Sequence, residues 1–362
     1  MVGSKLPTIV KTIRFRYIGV MKIVPASALL DISKDYADHR SRRKDSWYGY
    51  VDGKEWGATP FAVSVLYRGQ TAHHSPFLPS IARGLHSADI RMLWKSPVAD
   101  QAKIIFRLAQ SWWFSRELSR HPIAIHAADQ HLDLDPIALA QHYEIPTGYL
   151  DLTDDFNVSA FFATCHLTPN GWEPVENGIG ILYRVILKTL ENPFGRYSPL
   201  GPQQLPRPTE QCAWVAELPL CNSFEGWPNV SMLKFQHDKR IGSHFLNLFA
   251  DGELLFPPDP LSDIAKEILN CREIPSNLVD AAIDSFASEP CGVQAKQIPA
   301  LRREIAKLAT LVNYRKLLTD QHTSPLLNDP EWRNKMLADV KVKWRAVRRV
   351  VISQDGDDGA DS

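Results

Sequence analysis

The chain has 362 residues, 44% of them hydrophobic and 23% charged, with a formal net charge of +0. A chain of this length can bury one large core or two smaller ones, and its composition excludes wholesale disorder. Balanced charge supplies no chain-wide field for nucleic acid or a membrane surface, and no apolar run is long enough to span a bilayer.

The N-terminus carries Lys and Arg but no uninterrupted apolar stretch before a small-residue cleavage site, so no signal peptide is expected. Residues 1–57 read as an irregular N-terminal extension, with short strands at Ile13–Val20 and Met21–Val24 and a solvated charged run at His39–Asp45. Phe61–Tyr67 (FAVSVLY) is apolar and rich in β-branched residues, a strand that delivers Arg68-Gly69 at its end. Ala88–Leu118 is expected to be helical, with Ile105, Leu108, Ala109 and Trp112 at three-four spacing and Trp112-Trp113-Phe114 in the core.

Ile137–Cys165 reads as helix, turn, strand, turn and helix. Asp135 and Pro136 start the first helix and Pro146 ends it. Gly148–Leu152 alternates as a strand, Thr153 caps the next helix, and Asp154 and Asp155 occupy its first turn. Val158, Phe161, Phe162 and Cys165 supply its buried face.

Gly178–Leu187 is the clearest buried strand, Glu191–Pro208 a Pro- and Gly-rich loop, and Gln211–Leu218 a further strand. Met232–Phe249 fits strand or helix, and from Leu261 the pattern is helical. The last strong helix is expected over Glu331–Val351, with Met336, Val340, Trp344, Val347 and Val351 in one stripe. Lys335, Lys341, Lys343, Arg345, Arg348 and Arg349 line its other faces. With Trp332 and Trp344 these offer either a solvated face or a surface for a partner protein or nucleic acid. QDGDDGADS reads as a disordered acidic tail. Cys165, Cys212, Cys221, Cys271 and Cys291 form no CxxC pair and read as reduced thiols of a cytoplasmic protein.

Polar residues bracket one strand. Gln141-His142-Tyr143 precedes it, and Asp151-Leu152-Thr153 closes it against a helix N-terminus, where a fold tends to present polar groups to a ligand. The stretch Gln141–Cys165, QHYEIPTGYLDLTDDFNVSAFFATC, resembles the central signature of FRG-domain proteins. Leu66-Tyr67-Arg68-Gly69-Gln70, followed by Leu78-Pro79-Ser80 and Arg83, resembles the Arg-Gly-Gln motif of that family. Pro206-Arg207 with Gln211, Ala213 and Trp214 is similar to a later family strand, and Leu254–Ile268 to its closing helix. Gly148 and Leu152 stand where members usually carry Arg and Trp, and Glu144 where they carry Gly.

The resemblance implies an α+β fold, a mixed sheet with surrounding helices. It divides the chain into an extension (1–57), an FRG domain (58–270), a helical C-terminal region (271–352) and the tail (353–362). A more distant similarity is to the ADP-ribosyltransferase superfamily. Tyr67-Arg68-Gly69, Asp151-Leu152-Thr153 before Ala160–Ala163, and Glu210-Gln211 fill its three motif slots in order. That similarity implies an enzyme that transfers ADP-ribose from NAD to a macromolecular acceptor, protein or nucleic acid, or that cleaves NAD. It also implies a bacterial toxin or phage-defence effector.

On this reading Arg68, Asp151, Gln211 and Glu210 are the catalytic candidates. Tyr67, Gly69, Gln70, Gln141, His142, Tyr143, Thr147 and Thr153 are the candidate NAD contacts. An arginine fork suits a pyrophosphate, Gly69 admits a ligand close to its backbone, a carboxylate or amide can hold a ribose hydroxyl, and Tyr143 or Tyr149 can stack on nicotinamide. Bland readings stand beside these. Arg68 can pair with Asp151 structurally, Gln141 and His142 can form a core network, and Thr153 can be only a cap. The domain can also be a non-catalytic module that senses a nucleotide or nucleic acid. His73-His74 and His121…His126 lack partners at ligand spacing, so no metal is expected.

Overall fold

The computed structural model describes residues 23–36, 47–52, 55–60, 65–75, 77–85, 95–129, 134–187, 197–200, 205–218, 223–227, 229–288, 294–337 and 342–346. The central element is a seven-stranded mixed sheet in the order Val24–Pro25, Val230–Gln236, Ile179–Ile186, Val65–Gln70, Tyr149–Thr153, Ala213–Glu217 and Tyr197–Pro199. Its neighbours are antiparallel except at one edge, where Val24–Pro25 runs parallel to Val230–Gln236. With helices packed on the sheet, the fold is α+β.

Period-two alternation divides the strand residues between two cores. Leu66, Leu150, Leu152, Ile181, Tyr183, Val185 and Trp214 join Phe77, Phe224 and Trp227 on one side. Tyr67, Leu182, Leu233 and Phe235 lie on the other, against Val158, Phe161 and Ala163 of helix Phe156–Thr164. Each fully buried side chain of this size contributes roughly 1.5–3 kcal/mol of transfer free energy. A third cluster surrounds the long helix Val98–Leu118 and includes apolar residues of helices Pro260–Leu269, Ser276–Ser288 and Ile298–Leu308. Glu117 fastens that region. Its fully buried carboxylate accepts from the backbone N–H groups of Leu317 and Leu318 at 3.0 and 2.8 Å.

Several elements differ from the sequence expectation. The long helix begins at Val98, after Pro97, and Ser96 and Pro97 are not helical; residues 88–94 lie outside the described set. The strand expected at Phe61–Tyr67 is Val65–Gln70, so Arg68 stands inside it; 61–64 are not described. The expected loop Glu191–Pro208 contains strand Tyr197–Pro199 and the start of helix Pro206–Glu210. Gln211 is not in a strand but in the turn before Ala213–Glu217. Met232–Phe249 divides into strand Val230–Gln236 and helix Lys239–Leu248. The N-terminal extension contains helix Ser27–Tyr36, and short strands Glu273–Pro275 and Thr310–Val312 pair in parallel within the C-terminal region.

The largest correction concerns Glu331–Val351. Its helix spans only Pro330–Met336, and Val342–Ala346 is a strand parallel to Trp47–Asp52, which pairs antiparallel with Glu55–Pro60. The physical reason is in the residues. From Val340 the sequence VKVKWRAV alternates apolar and polar, a period of two that competes with the helical stripe. Lys343 and Arg345, in strand Val342–Ala346, therefore share no helical face with Lys335. Ile13–Val20, His39–Asp45, Lys341, Arg348, Arg349, Cys221, Cys291 and the acidic tail lie outside the described residues. Cys165, Cys212 and Cys271 are free thiols. Among the described residues no helix is long and apolar enough to cross a membrane.

Candidate functional site

Two central strands of the sheet barely touch. Val65–Gln70 and Tyr149–Thr153 share one register pair, Tyr67 with Thr153. Each is fully laddered on its other side, to Ile179–Ile186 and to Ala213–Glu217. Helix Phe156–Thr164 holds the first strand at this seam. A side chain at Gly69 would place its Cβ 1.8 Å from the Ser159 carbonyl oxygen and 2.6 Å from the Ala163 nitrogen. The glycine thus makes room for a helix, not for the ligand that the motif suggested.

Arg68 crosses the seam. Its Nη1 donates to the Asp151 backbone oxygen at 2.5 Å, a carbonyl without a ladder partner on that side, and lies 3.5 Å from Asp151 Oδ2. The arginine side chain is 13% exposed and the aspartate side chain 33%, with the carboxylate oxygen Oδ1 itself buried.

Gln141 orders the other side of Asp151. Its Oε1 accepts from Ser80 Oγ at 2.7 Å and from Thr147 Oγ1 at 2.8 Å, and its Nε2 donates to Asp151 Oδ2 at 3.1 Å. Because hydroxyl donors and a carboxylate acceptor occupy its two ends, the amide has one allowed orientation. His142 is set the same way. Gln211 Nε2 donates to the Leu255 carbonyl at 3.0 Å, so its Oε1 is the acceptor for His142 Nδ1 at 3.1 Å. The Nε2 of the imidazole then faces Asp151 Oδ1 at 3.4 Å. Arg207, from the Pro-Arg motif, donates to the His142 carbonyl at 3.2 Å and lies over the Tyr143 ring, 5.5 Å from its centroid. Arg68, Gln141, His142, Thr147, Asp151 and Gln211 therefore form one network drawn from separated parts of the chain.

The remaining candidates lie elsewhere or do other work. Gln211 is buried with both amide ends committed inside the protein, so it positions His142 and is not free to hold a ribose. Glu210 ends the preceding short helix and is half-buried. Thr153 is not the helix cap. Asp155 caps the helix, accepting from Asn157 and Val158, while Thr153 Oγ1 accepts from the Asp155 N–H and donates to the Gln211 carbonyl. Tyr67 is buried edge-on against Phe156 on the opposite sheet face from Arg68. Tyr143 is buried and donates its hydroxyl to Asp259; burial and that carboxylate push its phenol well above its usual value. Tyr149 donates to Asp135 at 2.8 Å. Tyr143 is therefore not available to stack on nicotinamide, whereas Tyr149 is half-buried. The first helix ends at His142, ahead of Pro146, through Glu144 in the left-handed region at φ 69°.

A second wall was not foreseen. Tyr183 stands opposite Arg68 in the ladder, and its ring stacks on Phe77 at 5.0 Å. Its hydroxyl donates to Glu225 Oε1 at 3.1 Å; that carboxylate also accepts from Ser75 Oγ at 3.1 Å and contacts His73 Nε2 at 2.5 Å. Burial first, then Glu225, raises the Tyr183 phenol, and Arg68 opposes that shift. Arg68 and Arg83 approach the Phe77 ring, their Cζ atoms 5.3 and 6.0 Å from its centroid. The Phe77 and Glu225 stretches have no motif character, and only the fold brings them to the seam. Among the described residues no group of three or more His, Cys, Asp and Glu side chains could hold a metal ion.

No curated protein and no solved structure matches the chain. The family model of the FRG domain matches residues 63–170, a stretch that includes Arg68, Gln141, His142, Thr147 and Asp151 but neither Gln211 nor Glu225. Residues 63–170 thus carry an FRG domain match, and the motif residues of that stretch gather at one seam.

Proposed function

We propose that the FRG domain binds NAD beside Arg68 and breaks its nicotinamide–ribose bond, passing ADP-ribose to a macromolecular acceptor or to water. One observation supports this most. Arg68 Nε and Gln70 Oε1 are buried polar atoms without a hydrogen-bond partner among the described residues, and His142 Nε2 and Asp151 Oδ1 have only each other, 3.4 Å apart. Buried polar groups are nearly always bonded, so donors and acceptors left open around one seam suit a polar ligand. The residues present therefore fit a nucleotide.

In the reaction the bond from ribose C1′ to the nicotinamide nitrogen breaks and its electron pair leaves with nicotinamide. The ribose passes through an oxocarbenium-like state. The acceptor oxygen or nitrogen forms the new bond to C1′ and releases its proton toward Asp151. The Asp151 carboxylate also opposes the developing positive charge, Gln141 and Arg68 orient it, and Gln211 holds the His142 ring behind it. A bacterial toxin or phage-defence setting is part of the same proposal and rests on the family resemblance alone.

The rival is a module that senses a nucleotide without changing it. The inward commitment of Gln211 favours it, since an amide so fixed makes a rigid site. Incubating the full chain with NAD labelled in the adenylate, with and without cell lysate, separates the two. The enzyme releases nicotinamide and leaves label on an acceptor or in free ADP-ribose. Recovery of bound NAD intact, with no nicotinamide released, would establish the sensor. Asp151→Asn is expected to lower release roughly 100- to 1000-fold, the scale for losing one transition-state electrostatic contact.

A further inference from the structure

The network that orients Asp151 also fixes the turn that carries Arg83. Ser80 Oγ accepts from the Thr147 N–H at 2.9 Å and donates to Gln141, while the Ile81 N–H donates to the Thr147 carbonyl at 3.1 Å. From the other side Arg107 Nη1 donates to the carbonyls of Ile81 and Arg83 at 2.7 and 2.8 Å. Arg83 Nε donates to the Leu78 carbonyl at 3.2 Å, which leaves the outer edge of its fork toward solvent on an exposed residue. The Phe77 ring beneath both guanidinium groups is itself fixed. Its N–H donates to Ser223 Oγ, its carbonyl accepts from the Phe224 N–H, and Tyr183 stacks on it.

We propose that Arg68 and Arg83 form a two-guanidinium subsite for the pyrophosphate of the nucleotide, with Phe77 as its floor. This rests on the nucleotide reading above and adds a second phosphate-binding residue to it. Asp151 lies beside both cations and opposes their charge, and part of that carboxylate is committed to Gln141. The other nearby acid, Glu225, is engaged by Tyr183, Ser75 and His73. The two arginine charges act on one another. Although Arg83 is exposed overall, the protein packed against its guanidinium and then the Arg68 charge lower it to about 10, with Asp151 opposing. A doubly charged anion relieves that repulsion, and planar forks match phosphate oxygens two at a time.

Titration calorimetry on the full chain tests this with inorganic pyrophosphate, ADP-ribose and nicotinamide riboside, which has no pyrophosphate. Arg83→Gln is expected to weaken pyrophosphate and ADP-ribose about tenfold or more, the scale of one charge-assisted contact, and to leave nicotinamide riboside unchanged. Arg83→Lys should regain part of the loss, because the charge returns without the fork. A circular-dichroism melt matching the wild type confirms that both variants fold. Pyrophosphate binding that is absent, or indifferent to Arg83, overturns the subsite even if NAD is still cleaved. Arg83-dependent pyrophosphate binding without nicotinamide release supports the subsite and overturns the enzyme reading instead.

Discussion

Arg68 donates to the backbone oxygen of Asp151 at 2.5 Å while its carboxylate lies 3.5 Å away, so the main-chain bond is the tighter of the two. The arginine thus closes a gap in the sheet as well as presenting charge to the seam. Arg68→Ala removes a hydrogen bond from a charged donor and should lower stability by about 1.5–3 kcal/mol. Arg68→Lys should melt closer to the wild type but release nicotinamide almost as poorly as Arg68→Ala, because an ammonium cannot reproduce the planar fork. Melts and nicotinamide release on both variants decide it. A Lys variant with full activity would sink the role given to the fork.

Gln211 carries the opposite expectation from the one its motif suggested. Gln211→Ala leaves the Leu255 carbonyl and His142 Nδ1 without their partner, at about 1–3 kcal/mol for each buried group. The variant should therefore melt lower, while its KM for NAD stays near that of the wild type. An unchanged melt with a sharply raised KM would return Gln211 to the ribose.

What was legible in the sequence follows from the range of each interaction. Asp135-Pro136, the Tyr149–Thr153 strand and the Phe156–Thr164 helix are local, and their caps and periodicities mark them within a few residues. Gln141, His142, Thr147 and Asp151 were legible for the same reason, since they lie in or just before that strand. Phe77, Tyr183 and Glu225 were not, because an aromatic strand residue and a carboxylate 42 positions apart carry no local sign that they will meet. Gln211 was found but its role inverted, because burial and amide orientation exist only in the folded chain. Val342–Ala346 was lost to a competing period over the same residues.

Glu144 offers a test of backbone strain. It adopts φ 69°, where a residue with a Cβ is disfavoured by roughly 1–2 kcal/mol, and its side chain is mostly exposed, 3.9 Å from Arg207. Glu144→Gly relieves that strain but increases the freedom of the unfolded chain, an opposing term of about 0.5–1 kcal/mol. The net expectation is stabilisation by about 0.5 kcal/mol, read as a higher denaturation midpoint with an unchanged m-value. A lower midpoint would show that the exposed ion pair contributes more than such pairs usually do.

Gly69 should tolerate nothing larger. The Cβ of Gly69→Ala would meet the backbone of helix Phe156–Thr164, which cannot yield as a flexible side chain can. Overpacking of this kind costs about 3 kcal/mol or more, so the variant should be largely insoluble or melt well below the wild type. A folded, stable Gly69→Ala with reduced ligand binding would restore the ligand-approach role to this glycine.

Tyr143 links the site to alkaline stability. Its hydroxyl donates to Asp259, whose other oxygen accepts from the Leu261 N–H at 2.9 Å and caps helix Pro260–Leu269. Tyr143→Phe removes that donor from a buried carboxylate, at about 1–3 kcal/mol at neutral pH. The phenol is raised well above 10.0 by burial and then by Asp259, so the folded state resists its ionisation. Below pH 10 the tyrosine is neutral in both states and its contribution is fully present. Above pH 10 the unfolded chain ionises while the folded one does not, and stability is lost at up to about 1.4 kcal/mol per pH unit. Denaturant unfolding of wild type and Tyr143→Phe at pH 7, 9, 10 and 11 should therefore show a stability gap that is constant to pH 9 and narrows above 10. A gap that holds its size through pH 11 would mean that this phenol ionises as easily in the folded protein as in the unfolded chain.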